Sequence, residues 1–226
     1  MANGKWAEAS RSTDELSSLA RALYRYENPI TRSIQSLRPY ICPFEILIDL
    51  VPLGSSVLDI GCGPGLFLGL LACEGRIARG HGLDLSMTAL AHAAGMRKGL
   101  SSAKKSILSF EYCDLTQFQP KIPFDVVSLI DVLHHVIPRS QEAAISRSAD
   151  SISSGGLLLY KDISPLPQWR AWANTLHDLV MSRSLAHYVC MAEMVRWTAD
   201  KGLRLIEERR INRLWYTHVI AVFKKS

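Results

Sequence analysis

The run Val57-Leu58-Asp59-Ile60-Gly61-Cys62-Gly63-Pro64-Gly65 limits the fold of this chain more than any other segment. Apolar and β-branched residues lead through an acidic position into a G-x-G-x-G turn, and an apolar stretch from Leu66 to Cys73 follows. This order reads as a buried parallel strand, a tight turn and a helix. Glycine is used where φ is positive or where backbone must come close to a ligand, and the helix that follows offers its N-terminus to that ligand. The Gly-Lys-Ser/Thr of a phosphate-gripping loop is absent, because Gly65 is followed by Leu66 and Phe67.

Strand-like and helix-like segments alternate after the turn. Arg79–Leu83 reads as a strand ending at Asp84, and 86–96 as an alanine-rich helix. A strand over 109–112 ends at Cys113-Asp114, and the apolar strand Phe124–Ile130 ends at Asp131. An amphipathic helix spans 139–152 and is closed by Ser153-Ser154-Gly155-Gly156. Strand 157–160 follows, then helices after Pro167 and over 192–201. Alternation of this kind predicts a parallel sheet covered on both faces. The last two strand-like runs, 203–211 and 216–224, are too close for a parallel crossover, so they predict an antiparallel hairpin. The whole is an α/β fold with a mostly parallel seven-stranded sheet and an antiparallel C-terminal strand.

About fifty residues precede the first strand, too many for a linker. A helix from Thr13 and two short ones punctuated by Pro29 and Pro39, 30–37 and 43–51, read as a helical cap over residues 1–50. Residues 51–226 form the ligand-binding domain, with 165–200 as a helical insertion on the substrate side. At 226 residues and 48% apolar composition this is a globular chain with a sizeable core. A net charge of +5 is too small to require nucleic acid. Five cysteines without C-x-x-C spacing point to reduced thiols and a cytoplasmic protein, not to a disulfide frame or a zinc site. No apolar run is long enough to span a membrane. The oligomeric state is not legible.

The glycine loop resembles the first motif of class I S-adenosylmethionine (SAM)-dependent methyltransferases, whose Rossmann-like sheet has the topology inferred above. Gly82-Leu83-Asp84-Leu85-Ser86-Met87 resembles that family's ribose-binding motif. Asp131-Val132-Leu133-His134-His135 resembles the fourth motif of small-molecule members, including those that methylate quinones. The likeness covers about 43–164 by motif and 203–224 by topology. It implies SAM as cofactor, held by Gly61, Cys62, Gly63 and Gly65. Asp59 is expected to accept backbone N–H groups of the glycine turn and to face the SAM ammonium. Asp84, 19 positions after Gly65, is placed for the ribose hydroxyls, with Leu85 or Met87 on the adenine face. Asp114 and the Leu115 N–H are placed for adenine, and Asp131 for the amino-acid moiety and the transferred methyl. NAD would need G-x-G-x-x-G, and here the third glycine comes one residue early.

The acceptor is read as a small molecule, aromatic or polyketide-like, with oxygen as the favoured atom over carbon or nitrogen. Asp131-Val132-Leu133-His134 lacks the Asp/Asn-Pro-Pro-aromatic signature of nucleic-acid amino-methyltransferases, and no metal-ligand spacing follows the fourth strand. An acidic hydroxyl needs a base near neutral pH. His135 is the first candidate by position, ahead of His134, His177 and His187, with Asp162 and His177 as further site members. Lys161 could face the same cleft. The tryptophans Trp169 and Trp172 read as core, and Tyr24, Tyr26, Arg32 and Arg38 as packing or surface residues of the cap. An RNA or protein methyltransferase, and a non-catalytic SAM-binding partner, are the alternatives.

Overall fold

A computed structural model describes residues 11–115, 118–163, 187–214 and 216–226. Three helices open it: α1 (Thr13–Leu23), α2 (Pro29–Ile41) and α3 (Phe44–Leu50). The α/β unit then runs β1 (Ser55–Ile60), α4 (Leu66–Cys73), β2 (Ile77–Asp84), α5 (Met87–Lys98), the short α6 (Ser102–Ser106), β3 (Leu108–Tyr112) and β4 (Phe124–Ile130). A 3-10 turn (Leu133–His135) precedes α7 (Pro138–Asp150) and β5 (Ile152–Ile163). The chain closes with α8 (Met191–Ala199), β6 (Leu203–Arg213) and β7 (Tyr216–Lys225). The region of Trp169, Trp172 and His177 lies outside the described residues.

The seven strands form one sheet in the order β3-β2-β1-β4-β5-β7-β6. All neighbours are parallel except β7, which runs antiparallel to both β5 and β6. The expected hairpin and Rossmann-like topology are therefore present. Side chains alternate across the sheet with period two. Val57, Val126, Leu159 and Val222 point into a core shared with α1, α3 and α4. Leu58, Val127, Leu158 and Phe223 point the other way, onto α7 and α8 through Ile145, Met194 and Trp197. Helix α4 is apolar on every side, and Leu66 through Ala72 are all buried. It fills the gap between β1 and the N-terminal helices.

Each N-terminal helix has a local cause. Ser12 caps α1 in a capping box with Glu15. Asn28 caps α2, whose first residue is Pro29. Pro39 does not end α2: the helix continues to Ile41. Proline keeps a helical φ but forfeits the N–H that would bond the carbonyl four residues back, and the helix still closes through the Cys42 N–H on the Arg38 carbonyl at 2.8 Å. The Pro39 carbonyl instead accepts from Arg213 Nη1 at 2.7 Å, and Arg213 also pairs with the nearly buried Glu45. These contacts tie the helices to the β6–β7 hairpin.

Two further boundaries differ from the sequence reading. Helix α7 ends at Asp150, and Ser153-Ser154-Gly155-Gly156 lies inside β5 rather than closing the helix. Ile152 already pairs with Phe124 and Leu157 pairs with Val126, so these residues bulge out of the ladder, with Gly155 at φ 76°. Glycine and serine at a bulge look like a helix stop in sequence. Asp114 lies two residues beyond β3, which ends at Tyr112.

Candidate active site at the strand ends

Strand order reverses between β1 and β4, and in such sheets ligands bind beyond the carboxyl ends at that crevice. Two adjoining cavities lie there. One, of about 330 Å³, runs from the glycine loop past Asp131, His134 and Lys161 to His218. The other, of about 450 Å³, is lined by Leu83, Asp84, Leu85, Cys113, Asp114 and Leu115. Gly61, Asp131 and His135 line both.

The loop has the geometry its glycines require. Gly61 has φ 67°, and a Cβ there would stand 2.5 Å from Val132 Cγ2, so the loop is pressed against the end of β4. Gly63, at φ 53°, has nothing within 4 Å of its missing Cβ. Its backbone is thus bare toward the cavity it lines, a cradle a side chain would fill. Tyr24, fully buried on the turn after α1, donates to the Pro64 carbonyl at 2.6 Å and fixes the loop from behind. Cys62 is buried against the same cavity, and burial pushes its thiol far above the usual range. Gly65 lines neither cavity; it donates to the Cys62 carbonyl at 2.9 Å and precedes α4.

The carboxylates divide the work differently from expectation. Asp59 does not receive the turn's N–H groups. Its register partner on β4 is Ser128, whose hydroxyl donates to Asp59 Oδ1 at 2.7 Å. The Gly63 N–H donates instead to Asp84 Oδ2 at 2.7 Å, and Ser86 N–H to Asp84 Oδ1 at 2.7 Å. Asp84 stands at the end of the neighbouring strand, where its side chain reaches across to the loop. Burial pushes Asp59 up to about 7; the Ser128 bond opposes this and the charge of Asp84 adds to it. Asp114, Leu115 and exposed Leu85 line the second cavity, whereas Met87, exposed on α5, lines neither.

Beyond β4 the site is made of side chains. Asp131 adopts φ 56°, a left-handed conformation unusual for a non-glycine residue. Lys161 Nζ on β5 lies 2.5 Å from Asp131 Oδ1, and Arg38 Nη2 on α2 lies 3.7 Å from Oδ2. Burial alone would raise the Asp131 pKa, but Lys161 and then Arg38 hold it at about 2. The buried histidine is His134, not His135. His134 Nδ1 lies 2.5 Å from Asp162 Oδ1, and both residues are buried. Asp162 is anchored further by the N–H groups of Ile163 at 2.8 Å and His134 at 3.3 Å. His135 is exposed at the junction of the cavities, its ring 4.0 Å from that of His134. The His187 N–H donates to the His134 carbonyl at 2.9 Å, and Gln141 Nε2 donates to the carbonyls of Leu133 and His187.

Of the residues named from sequence, Gly61, Cys62 and Gly63 of the loop, Asp84, Asp114 and Asp131 lie on the cavity walls, and Asp162 lies against His134. Sequence reading favoured packing roles for Tyr24 and Arg38 and did not reach His218. No local motif marks these three, because each comes to the site from a distant part of the chain.

The methyltransferase domain family matches residues 30–208. Among curated relatives, the ubiquinone biosynthesis O-methyltransferase of Pseudomonas syringae pv. tomato is 24% identical over 158 residues, 67% of this chain and 66% of that protein. The namesake from Coxiella burnetii is 27% identical over 165 residues, covering 68% and 65%. The chain therefore spans slightly less than two thirds of these relatives' length. Among solved structures, magnesium protoporphyrin IX methyltransferase from Synechocystis PCC 6803, with bound SAH, has a TM-score of 0.67 at 21% identity and covers 92% of this chain and 94% of that one. The N-methyltransferase NodS from Bradyrhizobium japonicum WM9, in complex with S-adenosyl-l-homocysteine (SAH), has a TM-score of 0.62 at 20% identity, covering 95% and 99%. With the match spanning most of its length, the chain belongs to the methyltransferase domain family, the SAM-dependent enzymes whose Rossmann-like fold it carries.

Proposed function

We propose that this protein transfers the methyl group of SAM to an oxygen of a small-molecule acceptor. The observation that carries the reading is the meeting of two cavities at Gly61, Asp131 and His135, with the His134–Asp162 pair beside their junction. The bare backbone at Gly63 fits the cofactor's close approach, and Asp84 and Asp114 fit a ribose and an adenine. SAM supplies a methyl group already activated by its sulfonium. What remains for the protein is alignment and proton removal.

The Asp162 carboxylate holds the Nδ1 proton of His134 and so places the basic lone pair on Nε2. From there His134 accepts the proton of an acceptor hydroxyl, and Asp162 stabilises the imidazolium that forms. His135, exposed where both cavities open, orients the acceptor. Asp131, held ionised by Lys161 and Arg38, faces the amino-acid end of the cofactor. The O-methyltransferase relatives support oxygen as the acceptor atom.

Calorimetric titration with SAM, SAH and NAD tests the cofactor, and transfer of labelled methyl to a panel of phenols tests the reaction. SAM and SAH should bind and NAD should not. In His134→Gln, turnover should fall by ~10²–10⁴-fold with SAH affinity unchanged, as for a lost general base. Full turnover in that variant would remove His134 from the chemistry, and absent SAM binding would overturn the reading.

A further inference from the structure

Two backbone groups of the glycine loop are held by side chains from elsewhere in the chain. Asp84 accepts the Gly63 N–H, and Tyr24 donates to the Pro64 carbonyl. Both anchors lead to one helix, α5. Asp84 also accepts the N–H of Ser86, whose hydroxyl caps α5 by accepting the Ala89 N–H at 3.1 Å. Tyr24 opens the turn that leaves α1, and that turn is fastened to the middle of α5, where Glu27 Oε2 lies 2.6 Å from His92 Nδ1. The Glu27 N–H donates to the Tyr24 carbonyl at 3.0 Å, so the two residues belong to one closed turn.

The turn lies close against α5. His92, Gly95 and Gly99 share a face of that helix at i, i+3 and i+7. A Cβ on Gly95 would overlap the Glu27 carboxylate, and one on Gly99 would overlap the Leu23 carbonyl. Tyr24 is completely buried, and the Glu27 and His92 side chains are only 14% and 27% exposed. Cys62, Gly63 and Pro64 line the cavity of the glycine loop, whereas Tyr24, Glu27 and His92 line neither cavity at the strand ends. The turn therefore touches the loop from outside the site.

We propose that Tyr24, Glu27 and His92 are positioning residues for the cofactor loop, and that cofactor binding is thereby coupled to the docking of the turn after α1. A loop held at Gly63 alone would tilt about that point. The second hold at Pro64 removes the tilt, and α5 fixes the spacing of the two holds, so the loop is shaped before its ligand arrives. Coupling of this kind is reciprocal: if the docked turn raises cofactor affinity, bound cofactor must tighten the turn by the same factor. The inference rests on the loop being the SAM seat of the reading above.

The test joins calorimetric titration with SAH to amide hydrogen exchange. Tyr24→Phe, which deletes one hydroxyl, should weaken SAH binding by about fivefold, the size of one hydrogen bond. Glu27→Ala should weaken it by about threefold, and Glu27→Gln, which keeps an acceptor for His92, should recover most of that loss. In the Tyr24→Phe background Glu27→Ala should change SAH affinity no further, because its path to the loop is already cut; unconnected effects would multiply. In the wild type SAH should slow exchange across residues 13–28. In Tyr24→Phe that slowing should vanish there and persist in β1. Unchanged SAH affinity in Tyr24→Phe, a Glu27→Ala loss undiminished in that background, or exchange at 13–28 indifferent to SAH in the wild type would overturn the proposal. A wild type that binds no SAH would remove the cofactor reading and this coupling together, whereas SAH binding that ignores the Tyr24 hydroxyl removes the coupling alone.

Discussion

At β1 the crevice is lined by backbone: Gly61 and Gly63 at positive φ, open space where a Gly63 side chain would stand, and a carbonyl held from behind by Tyr24. At β4, β5 and β7 it is lined by charge and imidazole: Asp131, Lys161, His134 and His218, with Arg38 reaching in from α2. The first wall depends on what is missing from residues, the second on what they carry. A backbone wall suits a ligand that never changes, and a side-chain wall can be rewritten for each acceptor. Substitutions on the two sides should therefore fail differently.

The largest effect is expected on the side-chain wall. Lys161 is buried beside Asp131, so Lys161→Met leaves a carboxylate stranded with only the partly exposed Arg38 at 3.7 Å. Breaking a buried pair in this way costs about 3–5 kcal/mol. Chemical denaturation should show that loss, and Lys161→Met combined with Asp131→Asn, which removes the stranded charge and tolerates the left-handed φ, should recover much of it. Arg38→Met, at an exposed ion pair, should cost about 0–1 kcal/mol. Equal losses for the two single variants would mean that the Asp131–Lys161 pair is not the anchor of this wall.

On the backbone wall the corresponding change acts on affinity. Asp84 fixes the glycine turn through the Gly63 N–H and stands where a ribose would lie. Asp84→Ala should weaken SAH binding by about 1.5–3 kcal/mol, the range for hydrogen bonds to a charged group. Stability should move less than for Lys161→Met. Undiminished SAH affinity in a folded variant would break the assignment of this wall to the cofactor.

The same contrast explains what the sequence makes legible. Strand, turn and helix at 55–73 are local, and the nearly continuous apolar run of β4 and the hairpin spacing of β6 and β7 need no distant information. The loop and its carboxylates were readable for that reason. The second wall joins residues 38, 131, 161 and 218, which only the sheet order brings together. Choosing His134 over His135 likewise required knowing that residue 162 on β5 lies opposite the turn after β4. Asp59 shows the same limit: strand register gave it Ser128 as a partner, and proximity in sequence to the glycine turn did not.

Asp59 also offers the finest test of the division, through pH. Its folded pKa of about 7 stands above the carboxylate reference of 3.8, with burial as the main cause. Protonation is thus favoured by folding. The associated stability is fully present below the unfolded value and is lost as pH rises through about 7. A ligand ammonium near Asp59 would favour the ionised form and reverse that preference. SAH affinity should then rise by about tenfold between pH 6 and 8, as expected when binding requires ionisation of a group titrating near 7. Asp59→Asn should flatten the profile. A profile that stays steep in Asp59→Asn would shift the titrating group to the histidines of the other wall, and the two walls would no longer be separable by their chemistry.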